Sequence, residues 1–267
     1  MRIIVLGSTG MLGTYVRNYF NSKYKVINIS RKDFDFNQNN ESDVIDFLVG
    51  LVDESSVIIN CAGIIKQRNY ELKELIKINS LLPNLLYEVK KIVGCKIIHI
   101  TTDCVYDGLK GDYNENDIHT CNDDYGRSKS LGENKNLTII RTSIIGEELF
   151  NKHSLIEWVK SNKNGTINGY LNHFWNGVTC LELCEFINQM IINNDFWVGI
   201  KHILTEKSIS KYELLTYIND IFNLNINIIK TNTDTDCYRN LSTVYPDGII
   251  KKSLYHQIKE LYNFKIK

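Results

Sequence analysis

The chain has 267 residues, enough for one large α/β domain or one domain with an appendage, and 31 basic residues balance 31 acidic ones. This zero net charge predicts no nucleic-acid partner, and no apolar run approaches the roughly 20 residues of a membrane helix. Without a secretory signal pattern or CxxC pairs among 7 cysteines, we expect a cytoplasmic protein with reduced thiols and no metal site.

The first half of the chain alternates apolar strand patterns with amphipathic helical patterns. The predicted strands cover residues 3–6, 26–29, 57–60, 97–101 and 138–141, and the predicted helices cover residues 12–20, 43–51, 72–91 and 124–133. Strands that are apolar throughout predict an α/β fold with a doubly wound parallel sheet of the Rossmann type. Ser42 or Asp43 is expected to cap the second helix.

After about residue 145 this alternation loosens. Helical patterns cover residues 154–161, 181–193, 211–222 and 251–261, and short strand patterns cover residues 202–204 and 225–229. We therefore expect residues 1–146 to form the Rossmann-type domain and residues 147–267 to form mainly a smaller lobe, with the chain free to cross between them.

A GxxGxxG loop joins the first predicted strand to the first predicted helix. Gly7 permits a tight turn, Gly10 lets the backbone approach a pyrophosphate, and Gly13 allows close helix–strand packing. The free N–H groups of the helix then face the anion. Three glycines alone would only shape a loop, but their place between strand and helix predicts a dinucleotide site. The residues expected to contact the cofactor here are Gly7, Thr9, Gly10, Met11, Leu12 and Gly13.

The end of the second predicted strand bears on which dinucleotide binds. A site for NAD places a carboxylate there to hold the ribose hydroxyls, whereas this chain has Ser30, Arg31 and Lys32. A guanidinium pairs well with a 2′-phosphate, so these residues favour NADP(H). The alternative is that Arg31 and Lys32 are solvated surface charges.

A candidate catalytic set follows the fourth predicted strand. Tyr125 and Lys129 are four residues apart on a predicted helix and share one face. The ammonium would lower the pKa of the phenol, which can donate a proton to a developing alkoxide. Thr102 ends its strand, where folds of this class bind ligands, and is placed to hydrogen-bond a substrate carbonyl. A lone Tyr–Lys pair is usually a surface contact, but its place after a dinucleotide loop favours catalysis.

Five motifs in this order resemble the extended short-chain dehydrogenases/reductases, and within them the dTDP-4-dehydrorhamnose reductase group. They are GSTGMLG (7–13), NCAGI (60–64), ITTDCVYDG (100–108), YGRSK (125–129) and RTSIIG (141–146). The resemblance implies that Thr102, Tyr125 and Lys129 are catalytic, and that the last two also bind the cofactor. It implies that Cys61, Ala62, Gly63 and Asn79 belong to the cofactor site, with Asn79 supporting the lysine, although a buried amide could also serve the backbone.

The implied reaction is reduction by NADPH of the C4 ketone of a nucleotide-activated 6-deoxy sugar. Two substrates fit: dTDP-4-dehydrorhamnose and a UDP-linked 4-keto-6-deoxy-N-acetylhexosamine, on the way to L-rhamnose- or L-rhamnosamine-type sugars. The expected substrate contacts are Thr102, Asp103, Tyr106 and Trp175, although Trp175 could equally pack between the lobes. Arg141 and Lys152 are candidates for the substrate diphosphate, although Arg141 could be structural.

A second activity is suggested by Cys104 and His153. Their positions resemble those of a cysteine and a histidine in GDP-fucose synthase, which epimerises its keto sugar before reducing it. A thiol and an imidazole could remove and replace a proton next to the ketone. The alternative is an inert buried cysteine and a histidine that caps a helix or faces solvent.

The same fold also serves as a non-catalytic NADP-binding regulatory subunit. The intact set of Thr102, Tyr125 and Lys129 favours an enzyme, because a protein that only binds has no need of all three. By the same resemblance, a homodimer is expected.

Overall fold

The computed structural model describes residues 1–68, 70–150 and 152–267. Its strands are β1 (Arg2–Leu6), β2 (Lys25–Ile29), β3 (Val57–Asn60), β4 (Lys96–Thr102), β5 (Thr138–Thr142), β6 (Ile144–Ile145), β7 (Thr166–Tyr170), β8 (His173–Trp175), β9 (Val178–Thr179), β10 (Gly199–His202), β11 (Leu204–Thr205), β12 (Ile209–Ser210), β13 (Asn227–Thr231), β14 (Cys237–Tyr238) and β15 (Ile249–Ile250). Its helices are α1 (Met11–Phe20), α2 (Glu41–Leu51), α3 (Leu72–Ile76), α4 (Leu82–Val93), α5 (Asp124–Leu131), α6 (Leu155–Ser161), α7 (Cys180–Asn193), α8 (Lys211–Phe222) and α9 (Leu254–Asn263).

The centre of the fold is a parallel sheet with the strand order β2-β1-β3-β4-β5-β10. The five strands predicted in the first half are all present, which confirms the α/β fold class. The strand order reverses at β1, so the carboxyl ends of β1 and β3 flank a crevice where such sheets bind ligands.

Both faces of the sheet are covered, as the uniformly apolar strands predicted. On one face, Ile3 and Val5 of β1 are buried with Val16 of α1 and residues of α7. On the other face, Ile4 and Leu6 are buried with residues of α2 and α4. The side-chain alternation of a strand thus divides β1 between two apolar layers, and this fixes the sheet between its helices.

The chain returns to this sheet after residue 147. Strand β10 pairs with β5, and α7 packs beside α1. Outside the sheet, β7 pairs with β13, and β8 lies between β12 and β14. No helix in the described ranges is long and apolar enough to cross a membrane.

The prediction that Ser42 or Asp43 caps the second helix was wrong. The cap is Asn40, whose Oδ1 accepts a hydrogen bond of 3.0 Å from Asp43 N, and α2 begins at Glu41. The amphipathic pattern starts late because the first turn is polar. In that turn, Glu41 and Asp43 place negative charge at the positive end of the helix.

Candidate active site

Two adjoining cavities open at the carboxyl edge of the sheet. The first cavity, of about 480 Å³, extends from the glycine loop to the end of β2. The second cavity, of about 510 Å³, extends from Gly10 along the end of β4 to α5. Gly10, Arg68 and the residues from Cys61 to Gly63 line both cavities, so the two form one continuous site.

The three glycines of the loop have different structural roles. Gly7 has a φ of +73°, a left-handed conformation that favours glycine. A Cβ on Gly13 would lie 2.1 Å from the carbonyl oxygen of Gly7, so α1 packs directly against the turn. Among the residues that the structure describes, the atom nearest to a Cβ on Gly10 would be the carbonyl oxygen of Gly7, at 3.4 Å. Gly10 also precedes α1 without a side-chain cap, so N–H groups are left for an anion.

Gly10→Ala and Gly13→Ala are therefore expected to fail in different ways. Gly13→Ala should lower the free energy of unfolding by about 1–3 kcal/mol or more, because the added methyl collides with backbone. Gly10→Ala should leave the free energy of unfolding nearly unchanged and weaken NADPH binding by about tenfold or more, a cost of about 1.4 kcal/mol. Urea denaturation and fluorescence titration of NADPH measure the two effects. Equal NADPH affinity in wild type and Gly10→Ala would contradict a pyrophosphate at this loop.

The end of β2 presents cations to the first cavity. Ser30, Arg31 and Lys32 all line it, and Arg31 and Lys32 are exposed. Asp33 is engaged locally: its Oδ2 accepts hydrogen bonds from Ser30 N (2.8 Å) and Ser30 Oγ (2.6 Å), and these bonds lower its pKa. Within the described ranges, neither Arg31 nor Lys32 forms a salt bridge, so both remain able to meet a phosphate.

The loop after β3 is shaped by a buried polar pair. Asn60 Oδ1 accepts a hydrogen bond of 3.1 Å from Ala62 N, and its Nδ2 lies 3.1 Å from His99 Nδ1. Burial lowers the pKa of His99 to about 3, so the ring is neutral and its Nδ1 accepts. This arrangement fixes Cys61, Ala62 and Gly63 along both cavities, where the resemblance placed them.

The helix α5 brings Tyr125 and Lys129 to the second cavity. Asp123 caps this helix, and a Cβ on Gly126 would lie 2.4 Å from the carbonyl oxygen of Cys104. The glycine thus lets α5 pack against the turn that follows β4. Thr102, Asp103 and Cys104 from that turn and Tyr125 and Lys129 from the helix all line the second cavity.

Asn79 lies behind the site and lines neither cavity. It sits in a π-helical turn, Lys77–Leu81, that joins α3 to α4. Its Oδ1 accepts from Ile64 N (2.9 Å), and its Nδ2 donates to Ile64 O (3.0 Å) and Ser128 Oγ (3.1 Å). The amide therefore serves the backbone, and it ties the Gly63–Ile64 segment to the residue before Lys129.

Burial dominates the ionisation of the two α5 residues. The pKa of Lys129 falls to about 8 because burial disfavours the ammonium, although Glu133 opposes the shift. Burial raises the pKa of Tyr125, Cys104 raises it further, and the Thr102 hydroxyl lowers it. The net shift of the Tyr125 pKa is upward, and its lowering by Lys129 together with the charge of the oxidised cofactor stays a prediction. Tyr125 is therefore protonated at neutral pH, the state that a proton donor needs.

The other predicted residues of the second cavity are Cys104, His153 and Trp175, and all three line it. His153 is exposed, and its backbone N, like that of Ser154, donates to Glu148 Oε2. Trp175 is buried under Lys211, whose Nζ lies 5.4 Å from the ring centroid. The thiol and the imidazole thus reach one cavity from different segments of the chain.

The sequence motifs did not indicate four cations that line the second cavity: Lys66, Arg68, Lys211 and Arg239. Arg239 Nη1 donates a hydrogen bond of 3.1 Å to Cys104 Sγ. Burial lowers the pKa of Lys211. Lys211 begins α8 and Arg239 follows β14, both far in sequence from the motifs, and only the folding of the second half brings them here.

Tyr106 and Arg141, predicted to contact substrate, do not reach either cavity. Tyr106 is 1% exposed; its hydroxyl donates to Asn114 O (3.0 Å) and accepts from Arg141 Nη1 (2.6 Å). The turn Asp103–Val105 sends the chain into a separate buried cluster with Tyr113 and Leu241. Lys152 is exposed and also lies outside the cavity linings.

Arg141 instead forms the centre of a buried network. It pairs with Glu133, which follows α5, through contacts of 3.0 and 2.5 Å. It also donates to His119 Nε2 (2.7 Å) and His202 Nε2 (2.8 Å). Burial lowers the pKa of His119 and that of His202, the latter to about 4, so both rings are neutral and accept at Nε2. The network joins β5, β10 and the end of the helix that carries Tyr125.

Comparison with known proteins places the chain in a family. Residues 1–236 match the model of the RmlD substrate-binding domain. A dTDP-4-dehydrorhamnose reductase of Aggregatibacter actinomycetemcomitans is 26% identical in an alignment of 238 residues that covers 82% of this chain and 78% of the relative. Methionine adenosyltransferase 2 subunit beta of Danio rerio is 26% identical over 84% of this chain and 74% of its own length. The chain belongs to the RmlD substrate-binding-domain family.

Solved structures show the same fold. A dTDP-4-dehydrorhamnose reductase of Clostridium acetobutylicum superposes with a TM-score of 0.81 at 20% identity, over 98% of this chain and 99% of the other. The dTDP-4-dehydrorhamnose reductase of Bacillus anthracis, solved in complex with NADP, has a TM-score of 0.81 at 22% identity over 98% of both chains. The Rossmann-like architecture is thus shared across nearly the whole chain.

Proposed function

We propose that this member of the family is an NADPH-dependent reductase of the 4-keto group of a nucleotide-activated 6-deoxy sugar. The observation that carries the proposal is the convergence of Thr102, Tyr125 and Lys129 on a cavity continuous with the glycine loop. The curated relative from Aggregatibacter actinomycetemcomitans is a dTDP-4-dehydrorhamnose reductase, which supports this class of substrate. A UDP-linked N-acetylated keto sugar is the second candidate substrate of the same class.

The residues present fit a dinucleotide. The space in front of Gly10 suits a pyrophosphate, and the loop after β3 lines both cavities. Bound NADPH supplies the hydride that the ketone carbon receives. We assign the glycine loop and the residues from Cys61 to Gly63 to cofactor binding, with Lys129 directed to the ribose.

Side chains of the protein polarise the ketone and supply the proton. Thr102 donates a hydrogen bond to the ketone oxygen and polarises the carbonyl. As that oxygen gains negative charge, Tyr125 gives it the phenolic proton, and the ketone becomes an alcohol. Lys129 stabilises the phenolate left behind, which regains its proton from solvent. The raised pKa of Tyr125 keeps this proton in place until the alkoxide forms.

We propose NADPH over NADH because Arg31 and Lys32 line the first cavity. Arg31→Ala is expected to weaken NADPH binding by about tenfold, since a charge-assisted bond to the 2′-phosphate is lost, while NADH binding changes little. Titration of both dinucleotides against both proteins measures the change in preference. Lys23→Ala, an exposed cation outside both cavities, is the matched control. An equal loss for the two dinucleotides would contradict a role in 2′-phosphate recognition.

We propose a second, 3-epimerase activity because Cys104 and His153 line the same cavity. A neutral imidazole can take the proton from the carbon next to the ketone, whose bonding pair then forms the enolate. The Cys104 thiol can return a proton to that carbon from its own side, leaving a thiolate and an imidazolium that exchange protons with solvent. Burial raises the pKa of Cys104 to about 11, which suits the role of proton donor.

One experiment tests both activities. The protein is incubated in deuterated water with NADPH and dTDP- or UDP-linked 4-keto-6-deoxy sugars, with and without an N-acetyl group. Loss of NADPH absorbance with one donor supports the reductase and identifies its substrate. Deuterium at the carbon next to the ketone, lost in Cys104→Ser, supports the epimerase.

The alternative function is a non-catalytic NADP-binding subunit of another enzyme. The similarity to methionine adenosyltransferase 2 subunit beta favours it. Tight NADP binding without NADPH consumption with any sugar of the panel would support this alternative and overturn the reductase.

A further inference from the structure

Arg239 makes a direct contact with the candidate proton donor. It follows β14 in the second half of the chain, and its Nη1 donates a hydrogen bond of 3.1 Å to Cys104 Sγ. Its Nη2 lies 3.5 Å from the carbonyl oxygen of Asp107, just beyond the same turn. The guanidinium is therefore held against the turn after β4, with one nitrogen at the sulfur.

Several charged groups face Cys104 from the surrounding elements. Asp103 disfavours the thiolate, whereas Arg239 and, more weakly, Lys66 favour it. Lys211 at the start of α8 and Tyr125 of α5 also interact with the sulfur. Of these groups Arg239 is the cation that hydrogen-bonds the sulfur. A hydrogen bond to a charged partner is roughly twice as strong as a neutral one, so this contact matters most after the thiol has lost its proton.

We propose that Arg239 is a positioning residue that stabilises the thiolate of Cys104. When the S–H bond breaks and its proton forms the new C–H bond, the electron pair stays on sulfur beside the guanidinium. A half-buried thiolate without that partner would carry a large desolvation cost. The use of this thiolate rests on the epimerase activity proposed above, but the charge stabilisation itself can be measured without a substrate.

The experiment is alkylation of the full-length protein by iodoacetamide, followed by peptide-resolved mass spectrometry, because only the thiolate reacts. Rates at Cys104 are compared at about pH 9 in wild type, Arg239→Met and Arg239→Lys. Arg239→Met is expected to slow the reaction about tenfold or more, the effect of a one-unit rise in pKa, and Arg239→Lys should slow it less. Arg17→Met, on α1 and outside both cavities, is the matched control and should react at the wild-type rate.

An unchanged or faster rate in folded Arg239→Met would overturn the inference, because Arg239 would then only cover the sulfur. A raised KM for the nucleotide sugar with an unchanged alkylation rate would also overturn it, in favour of a cation that binds substrate. Circular dichroism checks folding, and Arg239→Lys keeps the test open if Arg239→Met does not fold. Slower alkylation in Arg239→Met, together with no deuterium exchange by the wild type, would support the stabilisation of the Cys104 thiolate by Arg239. That result would rule out only the proposed epimerase activity.

Discussion

Tyr125→Phe is expected to lower kcat for keto-sugar reduction by about 10²–10⁴-fold, the usual contribution of a positioned general acid. The change removes only the phenolic oxygen, so the packing of α5 against the turn after β4 should persist. Since the alkoxide would then have to take its proton from water, the loss should fall on kcat, while the Kd for NADPH stays within about threefold. Steady-state kinetics and NADPH titration give the two numbers.

Tyr87→Phe is the matched control, because Tyr87 lies on α4 outside both cavities. We expect it to keep wild-type kcat. Lys129→Met should differ from Tyr125→Phe by losing NADPH affinity as well as kcat, because the proposed role of the ammonium includes the ribose. A loss of less than about tenfold in Tyr125→Phe would show that another group supplies the proton.

The sequence predicted the parts of this site that lie within single motifs. The glycine loop, the end of β2, the loop after β3 and the Tyr–Lys pair each depend on short spacings whose geometry follows from strand and helix periods. All of them line the two cavities except Gly13, which packs α1 against the loop. The parallel sheet followed for the same reason, because its strands are apolar over their whole length.

Tyr106 shows why neighbouring residues in sequence were misplaced. It is four residues beyond Thr102, and the intervening turn rotates the chain away from the sheet edge. Its ring stacks on Tyr113 with centroids 4.2 Å apart, which a strand period cannot indicate. Arg141 was misplaced in a similar way, since its partners His119, Glu133 and His202 come from three separate segments.

Lys211 and Arg239 could not be predicted from the sequence because they lie far from every motif, whereas Tyr106 and Arg141 lie within motifs but point away from the site. Each is an ordinary basic residue in a region without a motif, and only the pairing of β8 with β12 and β14 carries them to the cavity. The short strands of this half leave too few residues for an alternation pattern to be read. Chemistry supplied by the second half of the chain therefore depends on tertiary structure alone.

Arg141→Met is expected to lower the free energy of unfolding by about 3–5 kcal/mol, because it leaves the Glu133 carboxylate buried without its charged partner. Both side chains are nearly inaccessible, with 1% and 2% exposed. Urea denaturation measures the loss, and the double variant Arg141→Met/Glu133→Leu should recover part of it, since no unpaired charge then remains. Arg2→Met is the matched control: Arg2 pairs with Asp53 at the surface, where an ion pair contributes about 0–1 kcal/mol.

The same network makes the fold sensitive to acid. His202 is neutral in the folded protein because burial and Arg141 lower its pKa from 6.5 to about 4, so the unfolded chain binds its proton more readily. The stability that this difference contributes is complete above pH 6.5 and is lost as the pH falls towards 4. In Arg141→Met the guanidinium no longer opposes protonation, and the fall in stability over this range should be shallower. An equal pH dependence in the two proteins would show that Arg141 does not lower the pKa of His202. A loss of unfolding free energy in Arg141→Met as small as that in Arg2→Met would show that Arg141 does not hold β5, β10 and α5 together.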